Sequence, residues 1–318
     1  MHLKDAGKRL LQHPLVWNAT APIRRSGCVA LTYHRIGGPT ERFTHIPAPV
    51  FRAQMRWLRK HCDVIHPDEL AARVKTPSRP SVFVTFDDGY RDYYEHAYPV
   101  LQEYGIAAIN FLPTRFIDSG EPFWWDLLDT AVLTTSLAEA RVPDGSLMRL
   151  DSLDARRRYS RRWKAVLKEL PAPDESPRLD EALAALQTRR DAVPVDRQVM
   201  TWEQVRAAAP LTIAGGHTHN HKLMPFLDEG QLDEEATGCR DRIEAETGHR
   251  PKYFAYPSGA WSEAAGSAVS RAGYALAFTT REGFIGPEAR TWMALDRIHA
   301  PSTEAELAVT LSGWKHRR

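Results

Sequence analysis

Two short stretches of this 318-residue chain hold the side chains best suited to chemistry. In "VTFDDGYRDYY" (84–94), Asp87 and Asp88 stand side by side where an apolar run ends, and a glycine follows. Adjacent carboxylates repel, so outside an ordinary Asp-Gly turn they need cationic company. In "AGGHTHNHKLM" (214–224), His217 and His221 are four apart with His219 between them. Two histidines at short spacing plus one carboxylate form the three-ligand set of a catalytic metal site, which keeps a position open for water. A His-x3-His alone is weak evidence. Following a strand and Gly-Gly, and joined by an Asp-Asp-Gly at another strand end, it points firmly to metal binding.

These residues need strand ends to hold them. "CVALTY" (28–33), "SVFVTF" (81–86), "IAAINFL" (106–112), "LTIAG" (211–215), "YFAYP" (253–257) and "ALAFTT" (275–280) read as buried strands. Helical spacing runs through 49–61, 92–105, 233–248 and 262–273, and several of these segments end at a glycine suited to a C-cap. Continuous apolar strands alternating with helices predict a parallel α/β sheet. With six or seven such units and no dinucleotide fingerprint, a barrel is preferred to an open sheet. The rhythm breaks over about 121–200, read as three helices: one in "EPFWWDLLDTAVLTTSLAEA", a basic one in "LDARRRYSRRWKAVLKEL", and one in "DEALAALQTRRDAV". This is expected to be an insertion on a barrel loop.

Composition narrows the partners. A net charge of +2 gives no global pull toward nucleic acid. Three cysteines (28, 62 and 239), without CxxC spacing, argue against a disulfide framework or zinc ribbon and fit a reducing compartment. No stretch approaches a membrane span, and the N-terminus lacks a secretory h-region. Leu3, Leu10, Leu11, Leu15 and Trp17 would line a short amphipathic helix, either packed or resting on a membrane surface. The expected location is cytoplasmic, with the inner membrane surface left open. On the basic helix, Arg156, Arg157, Arg158, Arg161, Arg162, Lys164 and Lys168 cover nearly the whole circumference. They form either a solvated face or a contact for an anion, such as a phospholipid surface or a carrier diphosphate.

The chain resembles the NodB-type polysaccharide deacetylases, carbohydrate esterase family 4. "TFDDGY" (85–90) looks like the family's first motif, "HTHNH" (217–221) its second and "FAYPSG" (254–259) its third; the likeness spans roughly 27–300 apart from the insertion. It implies a distorted (β/α)7 barrel: an N-terminal segment 1–26, then one catalytic domain over 27–318. The function it implies is metal-dependent removal of N-acetyl groups from an amino-sugar polysaccharide, lipid-linked glycan or sugar precursor. A deformylase of a formamido sugar would use the same machinery, and a catalytically silent carbohydrate-binding barrel is the non-enzymatic alternative.

By this resemblance Asp88, His217 and His221 hold the ion and Asp87 is the general base. An Asp-His-His site accepts zinc, cobalt, nickel or manganese, with zinc the default. The backbone N–H of Ser258 is the expected oxyanion donor, flanked by Pro257 and Tyr256. Thr218 is expected to hydrogen-bond and orient the histidine loop, while His219 points away as a structural residue. Ala255 stands where many members carry the arginine that orients the base, and Ser258 where they carry tyrosine. Arg297 in "LDRIHA" is therefore the candidate support for Asp87, against the plain alternative of a surface ion pair. No Leu-x-His motif occurs near the C-terminus, but "LTYHRI" (31–36) carries a one-residue-longer Leu-x-x-His at the chain start, which resembles exopolysaccharide deacetylases with displaced motifs. His34 is thus the expected general acid and His299 its alternative. Tyr90, Tyr93, Trp124, Trp125 and Trp261 are candidate sugar-stacking faces. The insertion is expected to set substrate range rather than metal binding.

Overall fold

The computed structural model describes residues 27–37, 45–74, 80–170, 176–287 and 291–312. The N-terminal amphipathic segment and most of "PAPDESP" (171–177) lie outside the described residues. Seven parallel strands close a barrel: β1 (Cys28–Tyr33), β3 (Ser81–Phe86), β4 (Ala108–Leu112), β7 (Thr212–Gly216), β8 (Tyr253–Ala255), β9 (Leu276–Glu282) and β10 (Leu295–His299). Closure occurs because β1 pairs with β10 on one side and with β3 on the other. A two-residue β2 (Asp63–Val64) pairs in parallel with the start of β3, and β5 (Glu139–Arg141) and β6 (Leu147–Arg149) form a separate hairpin.

Both faces of β1 and β3 are buried along all six residues, which is why these segments read as unbroken apolar runs. Helices cover the outside. α1 (Ala48–His61) buries Phe51, Met55 and Leu58 at helical spacing and ends in Arg59 and Lys60, where cations suit the helix dipole. α2 (Leu70–Arg73) is a single turn; α3 (Tyr98–Tyr104) closes on Gly105. α4 (Thr114–Ser119) follows β4.

The seventh strand was not among the expected ones. β10 carries Asp296, Arg297 and His299, so it shows no apolar run. Strand periodicity explains its composition. Successive side chains alternate between faces, and the barrel interior takes Cys28 and Ala30 of β1, Phe83 of β3, Ile109 and Phe111 of β4, Ala255 of β8, Phe278 of β9 and Leu295 of β10. Continuing each alternation to the C-terminal end of its strand brings His34, Asp87, His217, Arg297 and His299 to the same mouth of the barrel.

Between about 121 and 200 the chain builds a second apolar cluster, including Leu128, Tyr159, Trp163 and Leu183. It contains α5 (Trp124–Thr134), the β5–β6 hairpin, α6 (Leu153–Leu167) and α7 (Pro177–Ala184). The single helix expected from "EPFWWDLLDTAVLTTSLAEA" is corrected here: it stops at Thr134, and the segment's end runs into β5 (Glu139–Arg141) of the hairpin, which reverses at Asp144 and Gly145, whose φ is 83°. The Pro-Asp-Gly of that turn is its sequence signature. The basic helix is not bare on all sides either. Arg156 caps the C-terminus of α5, donating to the carbonyls of Val132, Leu133 and Thr135. α8 (Trp202–Ala208), α9 (Glu229–Thr247), α10 (Glu263–Arg271) and α11 (Glu304–Leu311) complete the outer layer.

Candidate metal centre and active-site cleft

The C-terminal strand ends open into a cleft of about 540 Å³ that holds His34, Asp87, Asp88, His217, His221 and Ser258. Side chains from the ends of different barrel strands meeting at this face is the usual layout of an enzymatic β/α barrel.

Asp87 and Asp88 follow β3 directly. The Asp87 N–H donates to the Tyr33 carbonyl at 3.0 Å, and Asp88 takes a positive φ of 72°, sending the two acids in different directions. Gly89 is required next: its φ is 60°, and a Cβ there would lie 2.9 Å from Ile117 Cδ1 and 3.0 Å from Leu112 Cδ2. Thr218, His221 and Ser258 also adopt positive φ, so four of the five such non-glycine residues described belong to the site loops. Backbone strain of this kind clusters where surrounding structure fixes a functional geometry.

The metal-ligand candidates converge. One donor atom each from Asp88, His217 and His221 lies within 4.8 Å of the others. Both imidazole Nε2 atoms stand 3.4 Å from Asp88 Oδ1. That is long for a charge-assisted hydrogen bond, but two ligands held about 2.0–2.1 Å from a tetrahedral ion are roughly 3.3–3.4 Å apart. His217 Nδ1 donates to the Ala255 carbonyl at 2.7 Å, which fixes the ring with Nε2 facing Asp88. These residues fit a small divalent cation. Burial opposes charge on Asp88, yet the two imidazoles, with His34, outweigh it and hold its carboxyl well below the ordinary range.

Arg297 reaches Asp87 across the barrel interior. Its Nη1 and Nη2 donate to Oδ1 and Oδ2, each at 2.7 Å, and its Nε donates to the Thr279 carbonyl at 2.9 Å. With arginine and carboxylate side chains 1% and 3% exposed, this is a buried fork, not a surface ion pair. Burial pushes the Asp87 carboxyl up; the Arg297 charge and hydrogen bonds, aided by His217 and His34, pull it below the ordinary range. His34 Nε2 lies 3.8 Å from Asp87 Oδ2, and the ring is 40% exposed at the mouth. His299 stacks beside it at 6.2 Å between centroids. Burial, then the fields of His34 and Arg297, lowers the His299 imidazole below its usual value.

The third motif divides. Ser258 lines the cleft, with its carbonyl accepting from Thr280 Oγ1 at 3.1 Å. Tyr256 does not face the cleft: it is buried, and its hydroxyl donates to the Met293 carbonyl at 2.9 Å. With Ala255 facing the interior, alternation sends Tyr256 outward under the helices. Pro257 is buried beside it and lies off the cleft wall. Neither is in position to touch a substrate in the cleft. Thr218 also differs from expectation, since its buried hydroxyl has no hydrogen-bond partner among the described residues. The histidine loop is held instead by Glu235 of α9, which accepts from the Asn220 backbone at 2.7 Å and its side-chain amide at 2.8 Å. His219 points away and meets Thr114 Oγ1 at 2.8 Å.

Of the aromatic candidates, Tyr90, Trp124 and Trp125 line the cleft. Tyr93 is buried against Thr212, and Trp261 lines a different cavity. Trp125 packs 5.0 Å from the His221 ring and donates its indole N–H to Tyr90 at 2.7 Å. α5 is thus a wall of the metal-ligand cluster. Arg35 locks it there, donating to Asp92 at 2.7 Å, Asp126 at 3.2 Å and Gln198 at 2.9 Å. Sequence reading missed Arg35, although it follows His34 directly, and missed Glu235, which no motif marks.

A closed seven-stranded parallel barrel with this cleft is the architecture of NodB-type deacetylases. It resembles the solved Streptococcus pyogenes deacetylase PplD in complex with acetate: TM-score 0.60, 18% identity, over 90% of this chain and 98% of that one. The polysaccharide deacetylase family model matches residues 74–141 and 178–277, just over half of the chain, and the chain belongs to that family. YxkH of Bacillus subtilis (strain 168) is 38% identical over 86 residues, 26% of this chain and 30% of its own length. The poly-β-1,6-N-acetyl-D-glucosamine N-deacetylase of Staphylococcus epidermidis is 28% identical over 120 residues, 32% of this chain and 41% of its own. The chain thus spans well under half the length of the curated relatives it matches. Among the described residues no helix is long and apolar enough to cross a membrane.

Proposed function

We propose that this protein is a metal-dependent N-deacetylase acting on an N-acetylated glycan. The observation that carries the reading is the juxtaposition, in one cleft, of the Asp88–His217–His221 donor set with an Asp87 carboxylate gripped by Arg297. A divalent cation held by the three donors, zinc by default, would acidify water and polarise an amide carbonyl. Asp87 stays ionised, and the lone pairs that Arg297 leaves free accept the proton of the attacking water. The Ser258 backbone N–H donates to the oxyanion that forms as the carbonyl is attacked. His34 then protonates the departing sugar amine as the C–N bond breaks, and acetate leaves. His299 is the poorer candidate, because burial and the fields of its neighbours lower its imidazole below the usual value and disfavour the protonated ring that a general acid needs.

The Staphylococcus epidermidis relative's name supports an amino-sugar polymer or its precursor as substrate. Trp124 and Trp125 supply apolar wall for a sugar ring. Three buried cysteines, none in a disulfide, are compatible with a cytoplasmic setting, where the glycan would be a biosynthetic intermediate. The test is release of acetate, with formate measured separately, from N-acetylated and N-formylated amino-sugar oligomers by the metal-loaded protein. Acetate release supports the reading; formate alone would make it a deformylase, and neither product would refute hydrolysis of these amides.

A further inference from the structure

The basic helix α6 reaches the cleft. Lys164 and Lys168 line it together with Trp124 and Trp125. Both lysines lie in the stretch between 141 and 178 that the family model leaves unmatched. Their situations differ. Lys164 is 16% exposed and is neutralised by Asp129, which also accepts the Ser160 hydroxyl. Lys168 is exposed, and among the described residues no carboxylate pairs with it. Arg161, seven residues earlier and hence on the same helical face, is likewise exposed and unpaired.

On the cleft floor the charge of Asp87 is already answered by Arg297. Lys168 therefore places a positive charge, unpaired among the described residues, beside the wall formed by Trp124 and Trp125. We infer that Lys168, with Arg161 behind it, is the anion contact of a substrate subsite, selecting glycans that carry a phosphate or carboxylate near the N-acetyl sugar. This rests on the deacetylase reading.

The experiment compares three oligomer series of equal length: neutral N-acetylglucosamine oligomers, the same oligomers bearing a terminal phosphate, and oligomers containing a uronic acid. The expected result is a preference for an anionic series of about tenfold in kcat/KM, expressed in KM and reduced by salt. Which series is preferred separates phosphate from carboxylate. Lys168→Gln should abolish the preference, whereas Arg162→Gln should keep it, because it removes an equal charge from a side chain paired with Asp144. No preference in the wild type, or equal loss in both variants, overturns the inference. If no oligomer is turned over, the deacetylase reading fails, and the subsite is read from binding of the phosphorylated and uronate oligomers to Asp87→Asn. Binding weakened by adding Lys168→Gln supports it; unchanged affinity overturns it.

Discussion

Arg297 holds both carboxylate oxygens of Asp87, Nη1 on Oδ1 and Nη2 on Oδ2, at 2.7 Å each. Removing one partner of a buried pair leaves an uncompensated charge and costs about 3–5 kcal/mol. Arg297→Met should therefore lower stability on that scale and turnover by about 10²-fold, since the base loses its orientation. Adding Asp87→Asn should recover part of the stability, because the stranded charge is then gone. Arg297→Lys should rescue little, because an ammonium cannot reproduce the two-pronged contact. Urea unfolding of the four proteins checks this; a double variant no more stable than Arg297→Met would count against it.

His34 is assigned to leaving-group protonation, which makes its loss substrate-dependent. His34→Gln should reduce amide hydrolysis by about 10²–10⁴-fold. An aryl acetate, whose phenolate departs unprotonated, should be hydrolysed nearly as fast as by the wild type. His299→Gln should show no such split. Equal losses on amide and ester would assign His34 another role.

Asp126, which helps fix the α5 wall, gives a pH signature. Burial pushes its carboxyl up to about 6 against the pull of Arg35, whose guanidinium already answers Asp92. The folded state thus holds this proton more tightly than the unfolded chain, where the value is about 3.9. Its contribution to stability is full below about pH 4 and is lost as pH rises toward about 6. Asp126→Asn should match the wild type near pH 4 and exceed it by about 1–3 kcal/mol at pH 7. Denaturant unfolding at several pH values reads the difference, and a constant gap would contradict it.

Much of the site could be read from local patterns, because the two acids, the His-x3-His and the Leu-x-x-His each occupy a few consecutive residues. His34 and Arg297 were legible as candidates, and the barrel supplies what proximity in sequence could not, bringing both to Asp87. β10 escaped notice because its inward positions carry Arg297 and His299, the residues that suit it to the site. Tyr256 lies off the cleft because strand alternation, with Ala255 facing inward, turns it outward. The Arg35 hub and the Glu235–Asn220 support join residues far apart in the chain, and no local signal marks such pairings. The positive φ values of Asp88 and Thr218 are equally invisible in residue types that seldom adopt them.

The most direct test pairs metal content with acetate release for the wild type and Asp87→Asn. The wild type should retain one divalent ion and liberate acetate from an N-acetylated amino-sugar oligomer in step with new free amines. Asp87→Asn should keep the ion, since Asp88, His217 and His221 are intact, and release essentially no acetate. Full turnover by Asp87→Asn, or loss of its ion with the activity, would contradict the division of labour between the two adjacent acids.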